Sequence, residues 1–577
     1  MSQEKQLTGY PSIDKPWLKY YSEEAIKAEL PKCTVYDYLW NNNKNYLDNP
    51  ALYYLGNKIS FRTLFSQIER VSLAFTAIGI REGDIVVMST VTTPETIYAF
   101  YALNRIGAIS NMVDPRTSVE GIHQYICEVN AEVVLTLDVA YPKIEQAIAG
   151  TGVRKIIVVS PADSLPPVKK SLYLASVRVK GKTNSYGSLC QSWQSFIEGN
   201  ESVTATTVPY TKDRCCVIVH TGGTTGIPKG VMLTNDNINA LVFQSILTGI
   251  NMKREHTWMD IMPPFIAYGI GMGICLPLVI GMETILIPSF DPKKFDGLLL
   301  KYKPMHMVFV PSYWGAIIHS HKLRGKDLSY IIAPTVGGDT MDPELEKEAN
   351  RFLREHGCSY QVTKGYGMTE VCAGVTGTLD ANNELGSVGV PFVKSTVAIF
   401  DPETGEELPY NQEGEVCICG PNVMLGYYQN ERATNEIIRL HKDGQRWVHS
   451  GDIGYMNERG SLFILDRMKR MIVRYDGFKV FPSLIEKTVA QHAAVEQCCV
   501  VGVADAEHSQ GFLPVAFVVL KEHNRKQNHL ESELEELCAR ELPEYAQPVK
   551  WYFYDNLPVT PIGKIDYRTL EKVAKEE

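Results

Sequence analysis

The sequence predicts an α/β protein with a large N-terminal domain and a small α+β C-terminal domain. The large domain is expected to hold two mainly parallel α/β sheets and a small antiparallel β-barrel. Three observations predict this. Strand-length apolar runs alternate with helical patterns as far as Val336, an order that gives right-handed crossovers and parallel pairing. From about 385 to 465 the texture turns to short strands and tight turns. The chain of 577 residues is too long for one hydrophobic core.

In order, IVVMS (85–89) is a short apolar strand, and Thr93-Pro94 reads as an N-cap followed by proline at the first helical position. The helix ETIYAFYALNRIGA follows. EVVLTLD (132–138) and KIIVVS (155–160) are further strands. CCVIVHT (215–221), TILIPSF (284–290), HMVFVPS (306–312) and YIIAPTV (330–336) form a second series. VAIFDPETGEELP and GEVCICGP carry the barrel-like texture. Past Asp466, strands at 497–504 and 512–520 and helices at 530–542 and 566–575 make the last unit. The charged stretch DRMKRMIVRYDG reads as a solvated hinge and divides the chain into 1–466 and 467–577.

Residues 261–282 (IMPPFIAYGIGMGICLPLVIGM) carry no charge and are long enough to span a bilayer. Pro263, Pro264, Pro277 and four glycines interrupt them, and no basic cluster flanks them. A buried core helix is therefore expected. Segment 161–184 holds Lys169, Lys170, Arg178, Lys180 and Lys182 with no acid after Asp163. It reads as a solvated surface insertion, with peripheral membrane contact as the sharper alternative.

A net charge of −9 argues against a nucleic-acid binder, which needs a basic face. Thirteen cysteines, an odd count without C-x-x-C spacing, indicate neither a disulfide framework nor zinc. The start, MSQEKQLTGYPS, is polar and has no apolar signal region. A cytoplasmic protein is expected.

The strongest feature is HTGGTTGIPKGVMLT (220–234). Small residues let backbone amides approach an anion, hydroxyls add donors, and Lys229 supplies a cation. The spacing is not that of a Walker A loop, since no Ser or Thr follows the lysine. GVMLT reads as a strand, so the loop joins two strands and no helix dipole is available to it.

This loop resembles the phosphate-binding motif of the ANL superfamily, which holds acyl-CoA synthetases, peptide-synthetase adenylation domains and luciferases. The resemblance recurs in order along nearly the whole chain. GGDT (337–340) looks like the adenine-side turn, with Gly338 and Asp339. GYGMTE (365–370) is similar to the aromatic-Gly-x-Thr-Glu element, GEVCICGPNVMLGYYQN (414–430) to a structural turn of the barrel, and SGD (450–452) to the ribose motif. DRMKRM (466–471) resembles the hinge and PVTPIGKID (558–566) the C-terminal lysine loop. KPWLKYY and the glycine-rich run look closest to long-chain fatty-acid–CoA ligases.

The resemblance implies roles. Thr221, Gly222, Gly223, Thr224, Thr225, Gly226 and Lys229 would hold the β- and γ-phosphates of ATP, and Glu370 would bind Mg²⁺. Thr369 would contact the α-phosphate. Tyr366 would stack on adenine, with Gly367 and Met368 in the same turn. Asp452 would accept both ribose hydroxyls and Arg467 would add a donor. Lys564 would bridge ATP and the substrate carboxylate during adenylation. The mobile C-terminal domain would then rotate about Lys469, bringing Gly477 and Phe478 to the pantetheine arm of CoA.

Two departures stand out. One extra residue lies between Arg467 and Gly477, which shifts the register around 473–476. PPFIAYG places Ile266 where the family often has histidine, leaving Phe265, Ile266, Ala267 and Tyr268 as an apolar lining for the acid. His220, His449 and Cys372 are expected to be packing or hydrogen-bonding residues.

The implied function is an AMP-forming carboxylic acid–CoA ligase acting on a fatty or other apolar small-molecule acid. Nothing acidic lies between Ile261 and Met282 to pair with an amino-acid ammonium. The alternative is an adenylating enzyme that loads a separate acyl carrier protein or another acceptor. A non-enzymatic scaffold descended from such ligases is disfavoured by the presence of Lys229, Glu370, Asp452 and Lys564.

Overall fold

Strands buried on both faces need apolar residues at every position, and Val133–Leu137 (VVLTL) is of this kind, buried throughout. It belongs to an eight-stranded sheet. Its order is Gly426–Tyr427, Gly230–Thr234, Cys215–His220, Ile109–Val113, Ile85–Ser89, Val133–Leu137, Lys155–Val159 and Cys190–Ser192. Every neighbouring pair is parallel except the two made by Gly230–Thr234. The helix after Ile85–Ser89 starts as read. Thr93 accepts from the Thr96 N–H and Pro94 sits in the first turn.

The computed structural model describes residues 7–179, 186–221, 228–474, 479–507, 511–521, 529–559 and 565–576. A second sheet of nine strands has a parallel centre: Thr363–Tyr366, Ala333–Val336, His306–Phe309, Thr257–Asp260, Glu283–Leu286 and Pro50–Tyr54. Short antiparallel strands extend both edges. Parallel strands deliver their carboxyl ends to one edge, where ligand crevices form in such sheets.

The third layer is antiparallel, a five-stranded sheet curled as half a barrel. Thr396–Phe400, Gly414–Cys419, Arg446–Met456 and Ile438–Leu440 lie in that order, with Leu462–Arg467 also paired to Arg446–Met456. The motif GEVCICGPNVMLGYYQN is not confined to this layer. Its first strand lies in the half-barrel, whereas Gly426–Tyr427 crosses to pair with Gly230–Thr234.

The last unit packs the sheet Val495–Ala504, Phe512–Leu520 and Lys550–Tyr554 against helices Leu530–Glu541 and Tyr567–Glu576. One sheet face buries Val500, Ala516 and Val518 with Leu534 and Cys538, and the other buries Phe517 with Leu570. Among the described residues, these cores contain none before Ile472.

The uncharged stretch 261–282 is buried, but it is not one helix. A π-helix, Gly269–Cys275, runs into the short α-helix Leu276–Ile280, which ends on Gly281 at φ +92°. Pro277 cannot donate to an α ladder, so the wider turn precedes it. Among the described residues no helix is long and apolar enough to cross a membrane. In segment 161–184 the helix Pro167–Val179 exposes Val168 and Leu172, while the Lys169 ammonium donates to the Leu55 carbonyl. Lys180 and Lys182 lie outside the described residues.

Asp260 ends its strand against the π-helix, where a Cβ on Gly273 would stand 2.6 Å from Oδ1. Oδ1 accepts the Met262 N–H, and Oδ2 has no hydrogen-bond partner among the described residues. Burial pushes this carboxyl up from 3.8 to about 8. The unfolded chain ionises near 3.8 while the folded one holds its proton to about 8. The stability from this group is therefore complete below the lower value and lost as pH rises through the window. The slope should approach about 1.4 kcal/mol per pH unit. Glu95, pushed up to about 7 by burial, adds a slope of the same sign to both proteins. In chemical unfolding from pH 4.5 to 8 the difference in stability between wild type and Asp260→Asn should therefore carry the Asp260 slope, and a pH-independent difference would overturn it.

Candidate active site

The candidate phosphate loop is a hairpin closed at its base. The Thr221 N–H donates to the Lys229 carbonyl at 3.0 Å, and the Lys229 N–H donates to Thr221 Oγ1 at 3.1 Å. Strands Cys215–His220 and Gly230–Thr234 pair antiparallel below it, His220 opposite Gly230, so the loop joins two strands as expected. Gly222, Gly223, Thr224, Thr225 and Gly226 lie outside the described residues. His220 is held by Asn111, 2.7 Å from Nε2, and burial lowers its pKa to about 4, so it is neutral.

The strand Thr363–Tyr366 ends at the same edge and turns through Gly367 and Met368 into a single 3₁₀ turn, Thr369–Val371. A Cβ on Gly367 would stand 1.9 Å from the Ala373 carbonyl oxygen, so only glycine allows this turn. Cys372 and Ala373 have φ of 55° and 80°, a left-handed backbone that side chains disfavour. The Met424 N–H donates to the Glu370 carbonyl at 2.9 Å and fixes the turn against the crossing segment.

Glu370 is buried, and Tyr427 Oη–H donates to its Oε1 at 2.7 Å. The same Tyr427 ring lies under the Lys229 ammonium, 4.8 Å from its centroid. The pairing of Tyr427 with Val231 sets this, since it places the ring two residues from Lys229. Burial raises the Glu370 pKa, opposed by the Tyr427 bond and by the charges of Arg467 and Lys229.

The other end of the turn meets a second carboxylate. Asp452 is 2% exposed. Its Oδ2 accepts from the Tyr366 hydroxyl at 2.5 Å and its Oδ1 lies 2.6 Å from Arg467 Nε. Asp452 and Arg467 are opposed in register on adjacent strands. Burial beside Asp452 drives the Tyr366 phenol well above its ordinary range, so it stays a donor.

In the turn GGDT, the Gly337 N–H donates to the Phe309 carbonyl and Gly338 takes φ +79°. The Thr340 N–H donates to Asp339 Oδ1. A Cβ on Gly337 would stand 3.4 Å from the Tyr268 hydroxyl, so Tyr268 abuts this turn. Phe265 is buried with the Arg116 guanidinium 5.7 Å from its centroid, and Ile266 is half-buried. Lys469 falls in the 3₁₀ turn Met468–Arg470, directly after the strand that ends on Arg467. Lys564, Gly477 and Phe478 lie outside the described residues.

The structure thus brings Lys229, Glu370, Tyr366, Asp452 and Arg467 to one edge. Sequence reasoning missed Tyr427, which links two of them. The run GYYQN had drawn attention only as part of a turn, and nothing local to it shows that it leaves the half-barrel.

The AMP-binding enzyme family model matches residues 39–428, and the model of the AMP-binding enzyme C-terminal domain matches 484–564. The chain belongs to the AMP-binding enzyme family. It is an enzyme of the AMP-forming acid–thiol ligase class. It is 28% identical over 564 residues to a long-chain-fatty-acid–CoA ligase of Bacillus subtilis (strain 168), covering 96% of this chain and 97% of that one. It is 31% identical over 486 residues to a probable 4-coumarate–CoA ligase of Dictyostelium discoideum, covering 83% and 82%. The fold is shared with the crystal structure of ATP-bound MatB from Rhodopseudomonas palustris, with TM-score 0.80 and 23% identity over 94% of this chain and 99% of that one. A benzoate CoA ligase from Burkholderia xenovorans LB400 gives TM-score 0.79 and 20% identity, with 93% and 99% covered.

In this ligase, Tyr427→Phe removes one hydroxyl and leaves the ring under Lys229. A hydrogen bond to a charged group is worth about 1.5–3 kcal/mol. Acid-dependent pyrophosphate release should therefore fall about tenfold or more, with a thermal midpoint within about 2 °C of wild type. An unchanged rate would mean that the Glu370 carboxylate does not depend on Tyr427.

Proposed function

We propose that the protein is an AMP-forming carboxylic acid–CoA ligase acting on a fatty or other apolar acid. ATP and acid form an acyl-adenylate with loss of pyrophosphate, and the thiol of CoA then displaces AMP. The observation that carries this reading is the span of one five-residue turn. Tyr366 at its start touches Asp452, and Glu370 at its end touches the Tyr427 ring that carries Lys229. One piece of backbone thus joins the group proposed for the sugar side to the group proposed for the phosphate side.

On this reading, Lys229 and residues 221–226 neutralise the β- and γ-phosphates and Thr369 donates to the α-phosphate. Tyr366 stacks against adenine beside Gly338 and Asp339, while Asp452 and Arg467 hold the ribose. Magnesium would fit beside Glu370, since a cation there would offset the burial that raises this carboxyl and favour its ionised, ligating form. When bound, it would neutralise charge on the departing pyrophosphate. Glu370 would hold it and Tyr427 would orient that carboxylate. Lys564 meets the acid's carboxylate during adenylation. Rotation about Lys469, at a domain boundary near 466/467, then replaces it with Gly477 and Phe478 for the thiol.

The absence of charge in the lining proposed for the acid sets the preference for an apolar acid. Phe265, Ile266 and Tyr268 offer an apolar lining, and 261–282 carries no charge. Asp260, which borders the stretch on its N-terminal side, has its carboxyl pushed up to about 8 by burial, so its neutral form is favoured at pH 7 and it makes a poor counterion for an ammonium. Phe265 and Tyr268 would serve an aromatic acid as well as an acyl chain. Loading of a carrier protein is the second reading, with the same first half-reaction.

Pyrophosphate release measured over fatty, aromatic and amino acids, with and without CoA, tests the proposal. Release with apolar acids and a thioester under CoA is expected, and release without thioester would favour the carrier reading. Lys564→Ala should lower adenylate formation at least a hundredfold yet form thioester from supplied acyl-adenylate within about threefold of wild type. Equal loss in both half-reactions would remove Lys564 from its assigned step.

A further inference from the structure

Asp452 does not sit on a regular strand. Opposite it, Glu415 pairs with Ile453 and Cys417 with His449, so Ser450, Gly451 and Asp452 together face the single residue Val416. The strand bulges here, and Gly451 takes φ +69°. Such a bulge re-aims a side chain, but the aim holds only if the extra residues are pinned.

Two groups pin them. Ser450 Oγ–H donates to the Val416 carbonyl at 2.6 Å and accepts the Asp452 N–H at 3.0 Å. Glu415 uses both carboxylate oxygens, Oε1 accepting the Gly451 N–H at 3.1 Å and Oε2 lying 2.7 Å from His449 Nδ1. His449 Nε2 in turn lies 2.9 Å from His441 Nε2. Two proton arrangements satisfy the row, and in both His449 donates from Nδ1 to Glu415. Its Nε2 either accepts from His441 Nε2–H or, with the ring protonated, donates to a bare His441 Nε2. The Glu415 and His449 side chains are 7% and 6% exposed, so water screens these bonds little.

We propose that Glu415 and His449 are positioning residues that lock the Ser450–Asp452 bulge and aim the Asp452 carboxylate, with His441 holding the far nitrogen of the His449 ring. This rests on the reading that Asp452 takes the ribose hydroxyls. Burial would raise the Glu415 carboxyl, but the bonds from His449 and Gly451 outweigh it and hold it below its ordinary value, charged as the row requires. Cys417 Sγ lies 3.4 Å from His449 Nδ1, and the donor atoms of Glu415, Cys417 and His449 all fall within 4.8 Å, a grouping that could also suit a metal ion. The 2.7 Å separation of Nδ1 and Oε2 favours the hydrogen bond. Two ligands on a tetrahedral zinc with bonds of about 2.0 Å stand about 3.3 Å apart.

The test measures KM for ATP, 3′-deoxy-ATP, acid and CoA in wild type, Glu415→Ala, His449→Ala, His449→Asn and Asp452→Asn. The two alanine variants should raise the KM for ATP about tenfold, leave those for acid and CoA within about twofold, and lose the preference for ATP over 3′-deoxy-ATP. His449→Asn keeps a donor near the Nδ1 position and should recover most of the loss. If all KM values rise together, or the preference survives in Glu415→Ala, the positioning role is overturned. If the preference survives in Asp452→Asn, the ribose reading itself falls and takes the inference with it. Should the alanine variants not fold, the isosteric Glu415→Gln carries the test, with an expected rise of about threefold in the ATP KM; no rise overturns the proposal. Zinc retained at one equivalent by the wild type after dialysis, and lost in His449→Asn, would overturn it in favour of a metal site.

Discussion

The close passage of Gly367 against the Ala373 carbonyl is the constraint on which the rest of the candidate site depends. The chain leaves a buried parallel strand at Tyr366 and doubles back within seven residues. It does so only because position 367 has no Cβ and because Cys372 and Ala373 accept a left-handed backbone. Strain of order 1–3 kcal/mol per such residue persists only where surroundings over-determine it. Here the surroundings are the Met424 N–H on one side and Asp452 on the other. Three layers grip the turn, and they tie Tyr366 at its start to Asp452 and Glu370 at its end to Tyr427.

The three layers contribute differently. The nine-stranded sheet supplies the turn. The half-barrel supplies Asp452 and Arg467 as partners across one strand pair. The eight-stranded sheet supplies Lys229, and Tyr427 reaches Glu370 only because the half-barrel chain crosses into that sheet at Gly426–Tyr427. Gly426 lies against Thr434, so the crossing leaves little room for any other residue there. A site assembled from three sheets gains buried charge-assisted bonds that no single layer could satisfy.

Much of this was legible in the sequence, for physical reasons that also mark the limit. The strand at 85–89, the Thr93-Pro94 helix start and the hairpin around Lys229 are local, and local rules of burial and capping sufficed. Lys229, Glu370, Tyr366, Asp452 and Arg467 were legible as an ordered set through family resemblance, and the structure brings them together. Tyr427 was not, because its role comes from a pairing nearly two hundred residues away in sequence. Glu415 was not either, because a bulge shows only when register is known. The expected helix at 261–282 failed on a conflict within one segment, where continuous burial suggested helix while Pro277 forbade an α ladder through it.

The proposed rotation about Lys469 sets an energetic requirement that the neighbourhood of the hinge meets. The C-terminal unit has its own two cores, so turning it need not open a shared one. Among the described residues, three polar ties cross between the strand ending at Arg467 and the C-terminal side. Ser483 donates its N–H to Asp466 Oδ2 and its hydroxyl to the Leu465 carbonyl, and Arg470 stands 3.9 Å from Asp466. Each hydrogen bond is worth about 0.5–1.5 kcal/mol net, so releasing this set costs only a few kcal/mol. The stronger ion pair, Arg470 with Glu486, lies wholly on the C-terminal side and would travel with it. Arg467 is on the other side, opposed to Asp452 within a sheet, and would stay with the nucleotide. On the proposed rotation, Arg467 would stay with the strand that holds Asp452 and Arg470 would move with Glu486, so the change of backbone angle would fall on Met468 and Lys469 and the moving unit would begin just past Arg467.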